Sequence, residues 1–251
     1  MPYESHPIAD TPSDEVPIWR YMSFTKLMAL VTSRRLHFSR ADQLGDPFEG
    51  SIPIATSYDT EYFDESGNYT QTIPYEEKDP DDQDLWADVH QQSVREVFIN
   101  CWYSYPHDSP AMWAIYASPA DGVAIGSTVG RLRSSLASAS QRIYVGRVEY
   151  LDYERDNPGY FRNMLQPFFI KRRGFDHEHE VRALFTKDRE ADEQPLGISA
   201  IVDLVVLIEQ IVIAPQAQQW FVDLVQEVTE HYGVSVTPTY SPLNSAPNWR
   251  S

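Results

Sequence analysis

A net charge of −17 over 251 residues, from 37 Asp and Glu against 20 Lys and Arg, argues against broad backbone-driven nucleic-acid binding, which needs an electropositive face. Hydrophobic residues at 42% and aromatics at 13% supply a sizeable core, and the one cysteine, Cys101, excludes an intrachain disulfide, which fits a reducing, cytoplasmic setting. The longest apolar run, near 201–213, is broken by Asp203, Glu209 and Gln210, which excludes a bilayer-crossing helix there.

Residues 1–16 are polar and Pro-rich, without the basic-then-apolar order of an export signal, and are expected to be a disordered tail. Val16 to Tyr21 reads as a strand, 25–33 as a helix capped by Ser23 with Leu27, Leu30 and Val31 on one face, and 36–39 as a strand. After a turn-rich stretch at 42–50, the segment 52–88 carries eleven acids against one Lys and reads as a loop excursion ending in a helix near 83–96. A buried strand is predicted at 97–104, one or two helical turns at 110–117 and a strand from Gly122 to Gly126. A helix at 129–139, a strand at 143–150, a helix from Pro158 to about Arg172 and a strand at 180–186 follow. An apolar strand at 204–214, an amphipathic helix at 218–232 and a last strand at 234–237 precede an irregular tail, 238–251. No linker divides the chain, so 17–237 is expected to be one mixed α/β (α+β) domain.

The block Phe175 to Arg182 is the best candidate for chemistry. Read as extended chain, it turns the carboxylates of Glu178 and Glu180 to one side, about 6.6–6.8 Å apart, and His177 and His179 to the other. A solvated strand edge would carry the same pattern, with Arg182 as ion-pair partner. Arg20, between Trp19 and Tyr21 in an apolar strand, needs an anion: Asp46 or Glu49 from the fold, or a bound ligand. Trp113 and Tyr116, three residues apart on a helix, form either core or a surface for a ligand ring. Asp46, Glu49, Glu178 and Glu180 with Lys171 have the composition of a Mg²⁺-dependent nuclease site. Zinc pairs, a Gly-x-Gly-x-x-Gly turn and a phosphate-binding Gly-Lys-Ser/Thr loop are absent from the sequence.

Several separated blocks share one order: Trp19-Arg20-Tyr21, Leu36 to Arg40, Asp46 to Gly50, Cys101 to Ser104, Met112 to Ala117, Asp121 to Ile125 and Phe175 to Arg182. Together they resemble an uncharacterised bacterial domain-of-unknown-function family, some members of which lie near phage-defence genes. More distantly, an Arg on the first strand, a Ser on a central strand and a late Glu-x-Glu resemble the Arg/Ser/Glu pattern of ADP-ribosyltransferases. That resemblance implies a split sheet with flanking helices and NAD as substrate. It implies that Arg20, with Tyr21 beside it, grips a phosphate or ribose, that Ser104 supports the nicotinamide half, and that Trp113 and Tyr116 stack on a ring. Glu180 would bond the nicotinamide ribose and Glu178 would activate an acceptor, either protein or nucleic acid. The Ser strand departs from the pattern, reading Cys-Trp-Tyr-Ser in place of Ser-Thr-Ser. The readings are therefore an NAD-using transferase or glycohydrolase acting against phage, a Mg²⁺-dependent nuclease, or a non-catalytic nucleotide- or protein-binding domain.

Overall fold

The strand predicted at 16–21 forms as β1 (Pro17–Ser23), followed by α1 (Phe24–Ser33), β2 (Arg35–Arg40), β3 (Thr60–Phe63), β4 (Tyr69–Ile73) and β5 (Val97–Tyr103). The chain continues through α2 (Pro110–Tyr116), β6 (Gly122–Thr128), α3 (Val129–Ser135), β7 (Tyr144–Arg147), β8 (Glu149–Leu151), β9 (Ile170–Arg172) and β10 (Glu180–Thr186). It ends with β11 (Gly197–Ile201), α4 (Leu204–Leu207), β12 (Gln210–Ile213), α5 (Gln219–His231) and β13 (Thr239–Tyr240). These belong to a computed structural model that describes residues 9–53, 60–63, 69–73, 91–158, 164–187 and 195–244. Among them no helix is long and apolar enough to cross a membrane.

Nine of the described strands form one mixed sheet, ordered β11-β2-β5-β1-β6-β12-β13, with β10 on β5 and β7 on β10. Its distinctive feature is at β5. One edge of β5 pairs with β10 along its whole length, from Glu180 opposite Tyr103 to Thr186 opposite Val97. The other edge is divided: Phe98 and Ile99 face Arg40 and Ser39 of β2, while Tyr103 faces Trp19 of β1. Between those ends the sheet opens, because β1 and β2 are the two arms of one β-α-β turn held apart by α1.

Local chemistry explains that turn. The Ser23 side chain caps α1 by accepting from the Lys26 amide, and Arg34, left-handed at φ 51°, ends the helix one residue before β2 starts. Leu27, Leu30 and Val31 then pack under Ile18, Met22, Trp102 and Phe221 in the main core, which covers one face of the sheet. Alternation puts Trp19 and Tyr21 on the opposite face, with Tyr103, Met112, Trp113 and Ala124.

Several expectations are corrected. The helix expected from 158 to 172 is replaced, in its described part, by a 3-10 turn (Gln166–Phe169) and β9. Phe168, Phe169 and Ile170 are all buried, and three consecutive buried side chains do not fit one helical face. Asp203 accepts from the amides of Val205 and Val206, which winds the start of the expected 204–214 strand into α4. Helix α3 stops at Ser135, the 143–150 strand is interrupted after Arg147, and the last strand lies at 239–240, not 234–237. Strand β11, unforeseen, zips onto β2. Of the 52–88 excursion, β3 and β4 pair with each other, and most of the rest lies outside the described residues, as does the start of the 83–96 helix, of which 91–96 are helical.

Candidate functional site

The site is built around Arg182 of β10, which is fully buried. Its guanidinium forks onto Glu49, donates 2.7 Å to the Phe168 carbonyl, and reaches back to Glu180 through Nε at 2.9 Å and Nη2 at 3.1 Å. Glu49 is placed by a tight turn in which the Asp46 carboxylate accepts from the Phe48 amide at 3.0 Å. Gly50 closes the turn at φ 68°, where a Cβ would stand 2.4 Å from the Phe168 ring, so both backbone and space require glycine.

Glu178 and Glu180 do not lie along one strand as the sequence predicted. Residues Arg173–Glu178 wind into a 3-10 turn, and His179 follows in the left-handed region at φ 38°. The turn is closed by the His179 amide donating to the Asp176 carbonyl at 3.1 Å, and the His179 carbonyl accepts from the Ser104 amide at 2.8 Å. In consequence the carboxylates converge on one ammonium: Lys171 donates to Glu178 and, at 3.5 Å, to Glu180. The Tyr116 hydroxyl donates to Glu178, and the Tyr150 hydroxyl accepts from the Glu180 amide at 2.8 Å. His179 is exposed and stacks on Tyr105, with centroids 5.1 Å apart at 24°.

Electrostatics follow from burial and pairing. Burial alone would raise the Glu180 carboxyl, but Arg182 and Lys171 overcome it and hold it at about 2. Burial works against the charged form of Arg182 and Lys171 too, and the surrounding carboxylates outweigh it, lifting both. Burial pushes Glu49 up against the pull of Arg182. It raises Tyr116 well above the ordinary phenol range, helped by the hydrogen bond to Glu178. The Cys101 thiol is pushed far up by burial and by Glu180, so it stays protonated.

Where the sheet divides, a cleft of about 460 Å³ opens, whose lining includes Tyr116, Glu178, Glu180 and Cys101 together with Lys26, Arg35 and His37. Arg20 stands in the gap: Nη1 donates 2.7 Å to the carbonyl of Cys101, midway along the divided edge of β5, and the guanidinium sits 6.0 Å above the Trp102 ring. The carboxylates expected to pair with it are taken, Asp46 by Arg172 at 2.6 Å and Glu49 by Arg182. Among the described residues no carboxylate comes within ion-pair distance of Arg20. Burial lowers its pKa.

The structure thus brings Arg20, Tyr21, Tyr116, Glu178 and Glu180 to one cleft. Ser104 and Trp113 lie outside its lining. The Ser104 hydroxyl points to the Pro17 carbonyl at 3.4 Å, and Trp113 is 1% exposed, edge-on to Tyr21 at 4.9 Å. Tyr150 had no sequence signal as a site feature, and Lys171, grouped with Glu178 and Glu180 only as part of a candidate Mg²⁺ site, bridges the two carboxylates itself. The four acids considered for Mg²⁺ are all held by Arg172, Arg182 or Lys171, and among the described residues no group of three His, Cys, Asp or Glu could hold a metal.

No protein-family model and no curated protein matches this chain. Solved structures that match include DarT from Thermus sp. 2.9 in complex with NAD+, at 12% identity and a TM-score of 0.39, covering 92% of this chain and 96% of that one. The same protein in complex with ADP-ribosylated ssDNA matches with the same figures, and in complex with carba-NAD+ at 11% identity over 91% and 96% of the two chains. The likeness is one of chain course at low similarity.

Proposed function

We propose that the cleft takes NAD as substrate and that the chain is an ADP-ribosyltransferase or NAD glycohydrolase. The observation that carries this reading is Arg20, a guanidinium in the cleft whose candidate protein partners are engaged elsewhere. A cation removed from water without a counter-charge is costly, and a ligand phosphate supplies that charge in the bidentate form guanidinium favours. Arg35 and Lys26 extend the cationic lining. At the other end Glu180, held ionised at about 2, suits the positive charge that develops on ribose as the bond to nicotinamide breaks. Glu178, beside it, is the base for the hydroxyl or water that takes the sugar.

The nuclease reading is weakened because its carboxylates already hold cations of the chain. Action against phage, on a protein or nucleic-acid acceptor, is the setting that the sequence resemblance implies. A thermal-shift series tests the reading. NAD at about a hundredfold over its dissociation constant adds about 2.7 kcal/mol, a rise of roughly 5–10 °C for a chain of this size. Mg²⁺ alone gives no rise, and Glu180→Gln slows nicotinamide release about 10²–10³-fold. No shift with millimolar NAD, or a shift with Mg²⁺ alone, contradicts it.

A further inference from the structure

We infer that Tyr116 is itself an ADP-ribosyl acceptor, so that the chain modifies its own cleft; this rests on the reading of the cleft as an NAD site. Three groups stand in sequence: the Tyr116 hydroxyl donates to Glu178, and Glu178 is held from its other oxygen by Lys171, which also reaches Glu180 at 3.5 Å. A nucleophile bonded to a base that a third group orients is the arrangement of an activated hydroxyl. Two neighbouring tyrosines spend their hydroxyls differently. Tyr21 accepts from the Ser109 amide at 3.0 Å and Tyr150 from the Glu180 amide, whereas Tyr116 donates to a carboxylate.

Presentation agrees with this role. Tyr116 is the last residue of α2, a helix started by the Ser109 side chain and anchored by buried Met112 and Trp113. Tyr116 is 42% exposed and lines the same cleft as Glu180, so the residue is both fixed and open to a ligand. Burial first, then the hydrogen bond and charge of Glu178 and the charge of Glu180, keep it protonated until reaction.

In the step itself, a bond forms between Tyr116 Oη and C1″ of the nicotinamide ribose. The C1″ to pyridinium-nitrogen bond breaks, its electron pair staying on the ring, and neutral nicotinamide leaves. The phenol proton passes to Glu178, and Glu180 faces the cationic sugar in between. The product is an aryl O-glycoside of ADP-ribose, stable enough to accumulate.

The test incubates the full chain with NAD and reads intact mass, peptide maps and released nicotinamide together. The expected result is one ADP-ribosyl group per chain on Tyr116, absent in Tyr116→Phe and formed at least tenfold more slowly in Glu178→Gln. The wild-type peptide map decides the position even if a variant folds poorly. Nicotinamide release with no mass gain, or an adduct on another residue, overturns Tyr116 as the acceptor and leaves the NAD reading standing. Neither release nor adduct overturns both.

Discussion

Three carboxylates, Glu49, Glu178 and Glu180, share two cations, Arg182 and Lys171, at 9% exposure or less. Breaking such a buried set by removing one charge strands the others. Glu180 turns this into a pH dependence. Its ordinary value of 4.5 falls to about 2 in the fold, so between those values the unfolded chain binds the extra proton. The stability from its ionisation is fully present above pH 4.5 and is lost as pH falls through about 2, on the order of 3 kcal/mol. Urea unfolding from pH 6 to pH 2 should show that slope in the wild type and a flatter one in Glu180→Gln; equal slopes contradict the assignment. The pairing of Glu180 with Arg182 was legible, because residues two apart on a strand share a face. The contact of Glu178 with Tyr116 was not, since Tyr116 lies 62 positions away and its spacing from Trp113 signalled only a common helical face. In fact Trp113 enters the core and Tyr116 the cleft.

The element that shapes the site is the turn Arg173–Glu178 with left-handed His179. Alternating His and Glu read as extended chain, and nothing local announced the reversal. It is set by partners distant in sequence, Ser104 on the His179 carbonyl, and by Lys171 drawing Glu178 inward. Where local signals were strong, as in the Ser23 cap and the apolar face of α1, the sequence sufficed. Left-handed backbone costs an L residue about 1–2 kcal/mol, and a β-branched one more. His179→Gly should therefore stay within about 1 kcal/mol of wild type, while His179→Val loses about 1–3 kcal/mol and slows nicotinamide release by moving Glu178 off Lys171. Thermal unfolding and a nicotinamide assay read both, and indifference to Val would show that the turn does not position the acid.

Across the whole molecule, the division of the sheet at β5 converts an ordinary β-α-β turn into a cleft with Arg20 in its gap. The mixed α/β class was legible from the alternation of elements. Strand order was not, because β5 meets β10 across about eighty residues of chain and no local pattern encodes such a pairing. On a chain of net charge −17, the cleft presents Arg20, Lys26 and Arg35, while its Lys171 and Arg182 are held by carboxylates. Anion capture therefore rests on local donors, not on the overall field, which repels anions. Calorimetric titration of NAD into wild type and Arg20→Gln tests this centre. The expected result is binding to wild type and roughly 10- to 100-fold weaker binding to Arg20→Gln, with melting within about 1 kcal/mol of wild type because no carboxylate loses its partner. Equal affinity in the two proteins, or no heat from wild type, would contradict it.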